Sequence, residues 1–277
     1  TPKKHYRIKD FYNVDPEYGT DADLRCFDEE VHRLGIKILV DIVFYHCGAN
    51  AVFIESHPDF VKRNADGSVN YGEWHFPELN YESAGLREYL WKNLEYWMTE
   101  FKVDGYRCDV SDAVPLDFWE TARVRLEKIN PDTIILAEGH RKEDQLKAFD
   151  LNYNFPFSFG IHALFNLGRS ASSLRDKWEE QAREYPAGTR FIRYTDNHDI
   201  ANDTSFGVRR KPGQSDESWQ GSVNFHGIPQ EGLPADSRIE KAWGHNAAEA
   251  ALVLSFMMDG VPMFYSGQEI ADFSMHS

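Results

Sequence analysis

The chain alternates amphipathic helical segments with short runs of apolar, β-branched residues, and this alternation limits the folds it can adopt. In "FDEEVHRLGIKILVDIVFYH", Phe27, Val31 and Leu34 have helical spacing, and a strand-like run follows the glycine that ends the helix. The same order recurs along the chain. It predicts an α/β fold in which a parallel sheet is covered by helices. We count six strands, ending near Val43, Asp109, Glu138, Asn154, Asp196 and Ser266.

Polar residues gather at the ends of these predicted strands. They are Asp41, His46, Arg107, Asp109, Glu138, His140, Asp196, Asn197, His198, Asp199, Gln268 and Glu269. A β/α barrel builds its active site at this end, from several strands at once. A doubly wound open sheet is the alternative, but its usual glycine-rich phosphate-binding turn is absent from the sequence. The pattern therefore favours a (β/α)8 TIM-type barrel.

Two long segments, residues 47–83 and residues 200–240, interrupt the alternation of helices and strands. Long loops inside a compact domain are usually functional or disordered, and both of these follow a polar strand end. We predict one catalytic barrel formed by residues 1–46 and 84–277. Residues 47–83 then form an insertion after the first strand.

Composition excludes several classes of function. The formal net charge of −15 and the absence of a basic run argue against a nucleic-acid partner. No segment approaches ~18 consecutive apolar residues, so no membrane span is expected. Cys26, Cys47 and Cys108 are too scattered for a CxxC metal site or a disulfide framework. The sequence does not indicate a compartment.

Arg107 and Asp109 are the first candidates for chemistry. Side chains alternate along a strand, so these two share one face of "GYRCD" while Cys108 points towards the helices. A guanidinium beside Asp109 would keep it ionised, as a nucleophile must be. A purely structural ion pair would give the same sequence, and the two interpretations stay open on this evidence.

Glu138 stands at the end of the apolar run "TIILA". Partial desolvation at that position would raise its pKa, which suits a general acid that works near neutrality. An unpaired buried glutamate is rarely structural, so the position favours function.

Asp199 supplies a third carboxylate on another strand, and His198 a neutral donor beside it. Three carboxylates in one pocket would repel each other unless a cation lies among them. That cation is either a metal ion or the positive charge of an oxocarbenium-like transition state in glycoside cleavage. The metal interpretation predicts HxH or HExxH pairs, which do not occur in the sequence.

Taken in order, these motifs resemble the signatures of the α-amylase family of glycoside hydrolases. "DIVFYH", "GYRCD", "ILAEGH" and "TDNHD" are similar to the family's four signatures, and "FPELN" to the short motif of its inserted B domain. "GVPMFYSGQE" is similar to its last barrel strand. The resemblance extends from about residue 6 to residue 269. It identifies residues 47–83 as a B-domain-like insertion.

The resemblance implies a retaining mechanism on the α-glucosidic bonds of starch-type glucans or oligosaccharides. Asp109 would be the nucleophile, Glu138 the general acid/base and Asp199 the carboxylate that stabilises the transition state. In a retaining enzyme Asp109 and Glu138 should lie ~5 Å apart.

Four further residues would support the substrate according to the same resemblance. Arg107 would orient the nucleophile and pair with Asp41. His46 and His198 would hydrogen-bond the sugar at the cleavage site.

The sequence also departs from the family pattern. Tyr45 replaces the asparagine that often binds calcium there, which argues against a calcium site, and no cofactor is predicted. The segment "VSDAVP" replaces residues that contact the acceptor sugar in many members. Six strands of the eight in a full barrel predict an incomplete barrel, finished by missing segments or a partner chain. The absent first strand would also carry the tyrosine that stacks under the reactive sugar, so this chain by itself could be inactive.

Two other classes of function remain as alternatives. A catalytically silent amylase-like module would act in carbohydrate binding or interaction, although such relatives typically lose one of the three carboxylates. A metal-dependent barrel hydrolase is disfavoured by the missing histidine pairs. The sequence leaves open α-1,4 against α-1,6 specificity, and hydrolysis against transglycosylation.

Overall fold

The structure is a computed structural model that describes residues 6–72, 75–198, 239 and 243–271. By its internal contacts the chain divides into two compact units, Thr1–Asn152 and Tyr153–Ser277. The two units are described in turn. The predicted division into a barrel and an insertion remains a prediction.

The first unit contains a parallel sheet of four strands in the order β1, β2, β3, β4. The strands are β1 (Leu39–Val43), β2 (Gly105–Asp109), β3 (Ile134–Ala137) and β4 (Leu151–Asn152). Asp41 lies opposite Arg107 in the register of β1 with β2, and Cys108 lies opposite Ala137 in that of β2 with β3. Because all four strands are parallel, their carboxyl ends share one edge of the sheet.

The described residues of this unit form four α-helices. They are α1 (Asp21–Arg33), α2 (Ala84–Glu100), α3 (Leu116–Leu126) and the short α4 (Asp144–Lys147). Thr20 begins α1 through a capping box, in which its hydroxyl accepts from the Asp23 N–H and Asp23 accepts from the Thr20 N–H. Ser83 caps α2 by accepting from the Leu86 N–H at 3.2 Å.

The core of the first unit lies between the sheet and α2 and α3. Leu86, Leu90 and Leu94 of α2 are buried, as their helical spacing predicts. Tyr106 and Cys108 enter the same core, which confirms that β2 turns its alternate side chains, Arg107 and Asp109, to the other face.

The prediction that Phe27 and Leu34 lie on the packed face of α1 is wrong. Phe27 is 57% exposed and Leu34 64% exposed, whereas Asp28 is buried. At positions 24, 28 and 31, which also have helical spacing, the aspartate is buried and the other two residues are partly buried, and Leu24 packs against the core. Burial raises the pKa of Asp28, and the charge of Asp104 adds to the rise.

The second unit pairs two short parallel strands, β5 (Ile192–Arg193) and β6 (Val261–Pro262), with Ile192 opposite Val261. Its helices within the described residues are α5 (Phe155–Leu167), α6 (Ala171–Glu184) and α7 (His245–Met257). The Asn154 side chain caps α5 by accepting from the Phe157 N–H at 3.0 Å. No helix in the described part of the chain is long and apolar enough to cross a membrane.

All six predicted strands are therefore present in the described residues, although β4, β5 and β6 are only two residues long. Whether the barrel is complete remains a prediction. In the described part of residues 47–83 the chain forms isolated antiparallel bridges, and Pro58–Phe60 forms one 3₁₀ turn. The bridges pair His46 with Glu78, Val61 with Leu79, Arg63 with Val69 and Tyr71 with Pro77.

Candidate active site

Arg107 is the centre of a cluster of acids at the carboxyl edge of the first sheet. Its Nη1 lies 2.6 Å from Oδ1 of Asp109 and 3.0 Å from Oδ1 of Asp41. Its Nη2 lies 2.5 Å from Oε1 of Glu138. The guanidinium is largely buried. Three acidic side chains surround this single cation, so the described cluster has more acidic than basic groups. The sequence predicted the contacts with Asp41 and Asp109, and both are present.

Glu138 is paired, contrary to the expectation of an unpaired buried glutamate. Besides the Arg107 contact at Oε1, its Oε2 accepts a hydrogen bond of 2.9 Å from the Val110 N–H. The pairing was missed because it depends on the register of β2 with β3, which brings residues 107 and 138 within side-chain reach.

Val110, which directly follows Asp109, adopts a left-handed backbone conformation with φ 43° and ψ 47°. A β-branched residue in this region is an outlier that costs about 1 to 3 kcal/mol. The conformation turns the Val110 N–H towards Glu138. Local strain is thus located between the two predicted catalytic carboxylates.

Tyr6 is a site residue that the sequence analysis missed. Its hydroxyl donates to Oδ2 of Asp41 at 3.1 Å, and its carbonyl oxygen lies 3.0 Å from Nε2 of His46. Loss of solvent around Asp41 raises the pKa of that carboxyl, and the Asp109 charge adds to the rise, although Arg107 opposes it. No local spacing relates Tyr6 to the strand ends, and the resemblance placed the expected tyrosine on an absent strand.

The insertion contributes to the surroundings of His46. The imidazole ring stacks on Phe76 with centroids 4.6 Å apart and an interplanar angle of 8°. The Arg7 guanidinium lies 5.0 Å from the centroid of the same phenyl ring. Burial lowers the pKa of His46, so the neutral imidazole predicted to bind sugar is favoured.

Tyr45, which stands where many family members have a calcium-binding asparagine, contacts Glu78 of the insertion. The Tyr45 hydroxyl donates to Oε1 of Glu78 at 2.5 Å, and Nζ of Lys62 lies 2.8 Å from Oε2. Burial alone would raise the pKa of Glu78, but the bonds from Lys62 and Tyr45 outweigh it and the pKa is lowered. An ammonium and a phenol therefore both bind this carboxylate.

The remaining predicted site residues belong to the second unit. Thr195, Asp196 and Asn197 are buried, and His198 is half-buried. The Gln268 amide donates to Oγ1 of Thr195 at 2.8 Å, which fixes the start of "TDNHD". Asp199 lies outside the described residues. The described part of the chain holds no cluster of three or more His, Cys, Asp or Glu side chains arranged to bind a metal ion.

Comparison with known proteins finds similarity to alpha-amylases and cyclomaltodextrinases. Residues 1–76 match the family model described as the catalytic domain of alpha amylase. A curated cyclomaltodextrinase from a Bacillus species is 29% identical over 230 residues, which cover 73% of this chain and 40% of that protein. The chain spans less than half the length of the first curated relatives that it matches.

Two solved structures agree in fold. A maltogenic alpha-amylase from Thermotoga neapolitana matches with a TM-score of 0.76 at 27% identity, covering 96% of this chain and 55% of that one. An alpha-amylase from Lactobacillus plantarum matches with a TM-score of 0.78 at 29% identity, covering 98% and 60%. The parallel strands, the signatures in their order and these similarities support an α-amylase family member.

Proposed function

We propose that the protein cleaves or transfers α-glucosidic bonds of starch-type glucans or oligosaccharides by a retaining double displacement. Asp109 is the nucleophile and Glu138 the general acid/base. The names of the relatives, cyclomaltodextrinase and maltogenic alpha-amylase, support this class of substrate.

The observation that carries the proposal is the contact of one guanidinium with both carboxylates. Asp109 ends β2 and Glu138 follows β3, and neighbouring strands lie about 4.8 Å apart. Retaining glycosidases need their two carboxyl groups about 5 to 5.5 Å apart, and inverting enzymes need a wider gap for water. The strand geometry therefore supports retention.

In the first step a carboxylate oxygen of Asp109 bonds to the anomeric carbon as the glycosidic C–O bond breaks. Glu138 gives its proton to the leaving oxygen, and the glycosyl group becomes an ester of Asp109. In the second step Glu138 takes a proton from water or from an acceptor hydroxyl. That oxygen attacks the anomeric carbon, the ester bond breaks, and the original configuration returns.

Arg107 has a double part in this mechanism. Its Nη1 contacts Asp109, the residue that attacks, and its Nη2 contacts Glu138. One side chain thus orients both the nucleophile and the general acid/base. Asp199 as transition-state stabiliser and His46 and His198 as sugar donors complete the proposal.

Tyr6 extends the sugar site in the same proposal. Its hydroxyl is held by Asp41 and its backbone by His46, so the residue is fixed between two predicted substrate contacts. An aromatic ring fixed in this way suits stacking on a sugar. Tyr6 would then supply the tyrosine that stacks under the reactive sugar, which the sequence analysis expected to be missing.

We infer that no metal joins the insertion to the end of β1. Lys62 and Tyr45 already neutralise and bind the Glu78 carboxylate there. The melting temperature should therefore be the same in excess calcium and in chelator.

Product analysis on maltoheptaose, panose and pullulan tests the function. The protein should release glucose, maltose or longer products whose anomeric configuration, followed by NMR, is α at first. Asp109→Asn should lower kcat by about 10³-fold or more, and Glu138→Gln by a comparable factor. Asp66→Asn, a change at an exposed turn of the insertion, is the control.

Two results would count against the proposal. Undiminished cleavage by Asp109→Asn would refute the mechanism. Binding of maltoheptaose by the unaltered protein without any turnover would favour the alternative, a catalytically silent carbohydrate-binding module.

A further inference from the structure

Two loops follow the proposed catalytic residues and lie against each other. Residues 110–114, which we call the nucleophile loop, follow Asp109, and residues 138–143, which we call the acid loop, begin with Glu138. The Ser111 N–H donates to the Glu138 carbonyl oxygen at 3.1 Å, and the Val110 N–H donates to its carboxylate. The nucleophile loop thus binds both the backbone and the side chain of the proposed acid.

Asp112 makes the next contact between the loops. Its Oδ2 accepts a hydrogen bond of 2.9 Å from the His140 N–H and lies 3.2 Å from Nδ1 of the same residue. Hydrogen bonds from backbone N–H groups to carboxylates are among the stronger ones in proteins. A carboxylate in the nucleophile loop therefore binds the backbone two residues beyond Glu138.

The two loops approach so closely that a side chain at position 139 would displace the side chains around it. A Cβ on Gly139 would overlap the Asp112 carboxylate and the Ser111 hydroxyl. On the other side, the Asn152 amide of β4 donates to the Gly139 carbonyl oxygen at 3.3 Å. The residue after Glu138 is therefore held between Asp112 and the next strand.

Arg141 adds a second connection of the same kind. Its Nη2 donates to the carbonyl oxygens of Ser111 and Val114, each at 3.1 Å, and its Nε lies 3.8 Å from Oδ1 of Asp112. The guanidinium of the acid loop thus binds two backbone carbonyls of the nucleophile loop and lies near its carboxylate.

We propose that Asp112 is a positioning residue, which holds the His140 N–H and thereby fixes the acid loop so that Glu138 faces the leaving oxygen. This inference rests on the proposed function of Glu138. Arg107 attracts the end of the Glu138 side chain, whereas Asp112 fixes the backbone that carries it. The contacts with Arg107 and with Asp112 together set the position of the Glu138 carboxyl group. A misplacement of about 1 Å in an active site can cost about 10²-fold in rate.

Three variants of the full chain test the inference. Asp112→Ala removes the acceptor and should lower kcat by roughly 10- to 100-fold with little change in KM, because Asp112 is not one of the proposed substrate contacts. Asp112→Asn keeps an oxygen acceptor and should recover most of the rate. Asp66→Ala is the matched control, since Asp66 also accepts a backbone N–H, from Ser68 at 2.9 Å, but in the insertion.

Hydrogen exchange of the His140 amide provides a readout that needs no turnover. The amide should exchange faster in Asp112→Ala than in the unaltered protein and in Asp112→Asn. If Asp112→Ala does not fold, Asp112→Glu, which displaces the carboxylate by one methylene, replaces it in both measurements.

The outcomes separate the two proposals. Unchanged exchange in Asp112→Ala, or equal losses of kcat in the Ala and Asn variants, would overturn the role of Asp112. Faster exchange in a protein that cleaves no glucan would support the role of Asp112 as an anchor while contradicting the proposed function.

Discussion

The two ends of β2 differ in how their carboxylates are bound. At its start, the Asp104 carboxylate accepts from the Ile38 N–H at 2.9 Å and lies 2.8 Å from Nε2 of His32 and 3.1 Å from Nζ of Lys37. At its end, the single guanidinium of Arg107 meets three carboxylates. At one end a single carboxylate has three hydrogen-bond partners, and at the other end three carboxylates share one guanidinium.

The pKa directions follow this difference. Burial would raise the pKa of Asp104, but the bonds from Ile38, His32 and Lys37 outweigh it and the pKa is lowered. The pKa of Asp41, at the other end of the sheet, is raised. Charges at the start of the strand are matched for stability, whereas the end retains unbalanced negative charge that a cationic transition state could use.

Removal of Arg107 should have the largest effect on stability. Arg107→Met leaves three neighbouring carboxylates without their cation, and we expect the free energy of unfolding to fall by about 3 to 5 kcal/mol at about pH 7. Urea unfolding measures the loss. It should shrink at acid pH, where the carboxylates take up protons. Arg33→Met is the control, because its ion pair with Glu30 is well exposed; a similar loss in both variants would remove the contrast between the two ends.

Asp144 shows how the carboxyl edge responds to pH. Burial is the main cause that raises the pKa of Asp144 to about 6, and Asp112 adds to the rise, although the Asn152 bond opposes it. Its contribution to stability is present below the unfolded pKa of about 3.9 and is lost as pH rises through about 6. Asp144→Asn should remove this pH-dependent loss in the free energy of unfolding, which amounts to about 2 to 3 kcal/mol above about pH 6.

Urea unfolding of Asp144→Asn and the unaltered protein across that pH range measures the effect. Asp132→Asn, at an exposed position, is the control. A stability difference that does not vary with pH would show that Asp144 is no more strained than an exposed acid.

Asp104 should show the opposite dependence on pH. Its contribution is present above the unfolded pKa and is lost as pH falls through the lowered pKa of the folded state. Asp104→Asn should therefore cost about 1 to 2 kcal/mol at about pH 7, discounted because Lys37 is half exposed, and little in acid. Thermal unfolding at several pH values checks this, and kcat should not change. A loss of kcat would mean that the start of the strand also serves the chemistry.

The smallest effect is expected at Val110. Val110→Gly relieves the left-handed strain but keeps the N–H that binds Glu138, so the free energy of unfolding should rise by about 1 kcal/mol. Val52→Gly, at an exposed valine outside the left-handed region, should lower it instead. Differential scanning calorimetry distinguishes the signs. A fall in both variants would show that the backbone between the two carboxylates is not strained.

The sequence predicted the features that depend on local period. The alternation in "GYRCD" placed Arg107 and Asp109 on one face, and the run of leucines at helical spacing identified the buried side of α2. It failed where contacts depend on partners distant along the chain. The Glu138 ion pair, the Tyr6 bond and the left-handed Val110 each depend on another strand or loop. On α1, an aspartate occupies the buried face, and hydrophobic spacing alone selected its neighbour Phe27.

Gly105, at the start of β2, has a consequence for how the proposed site can change. A side chain there would overlap the backbone of Ile134, so β2 and β3 could not remain in their present hydrogen-bonded register. The separation of Asp109 from Glu138 is thus set by a residue with no functional group, four positions earlier on the same strand. Selection for activity at position 105 should therefore return glycine.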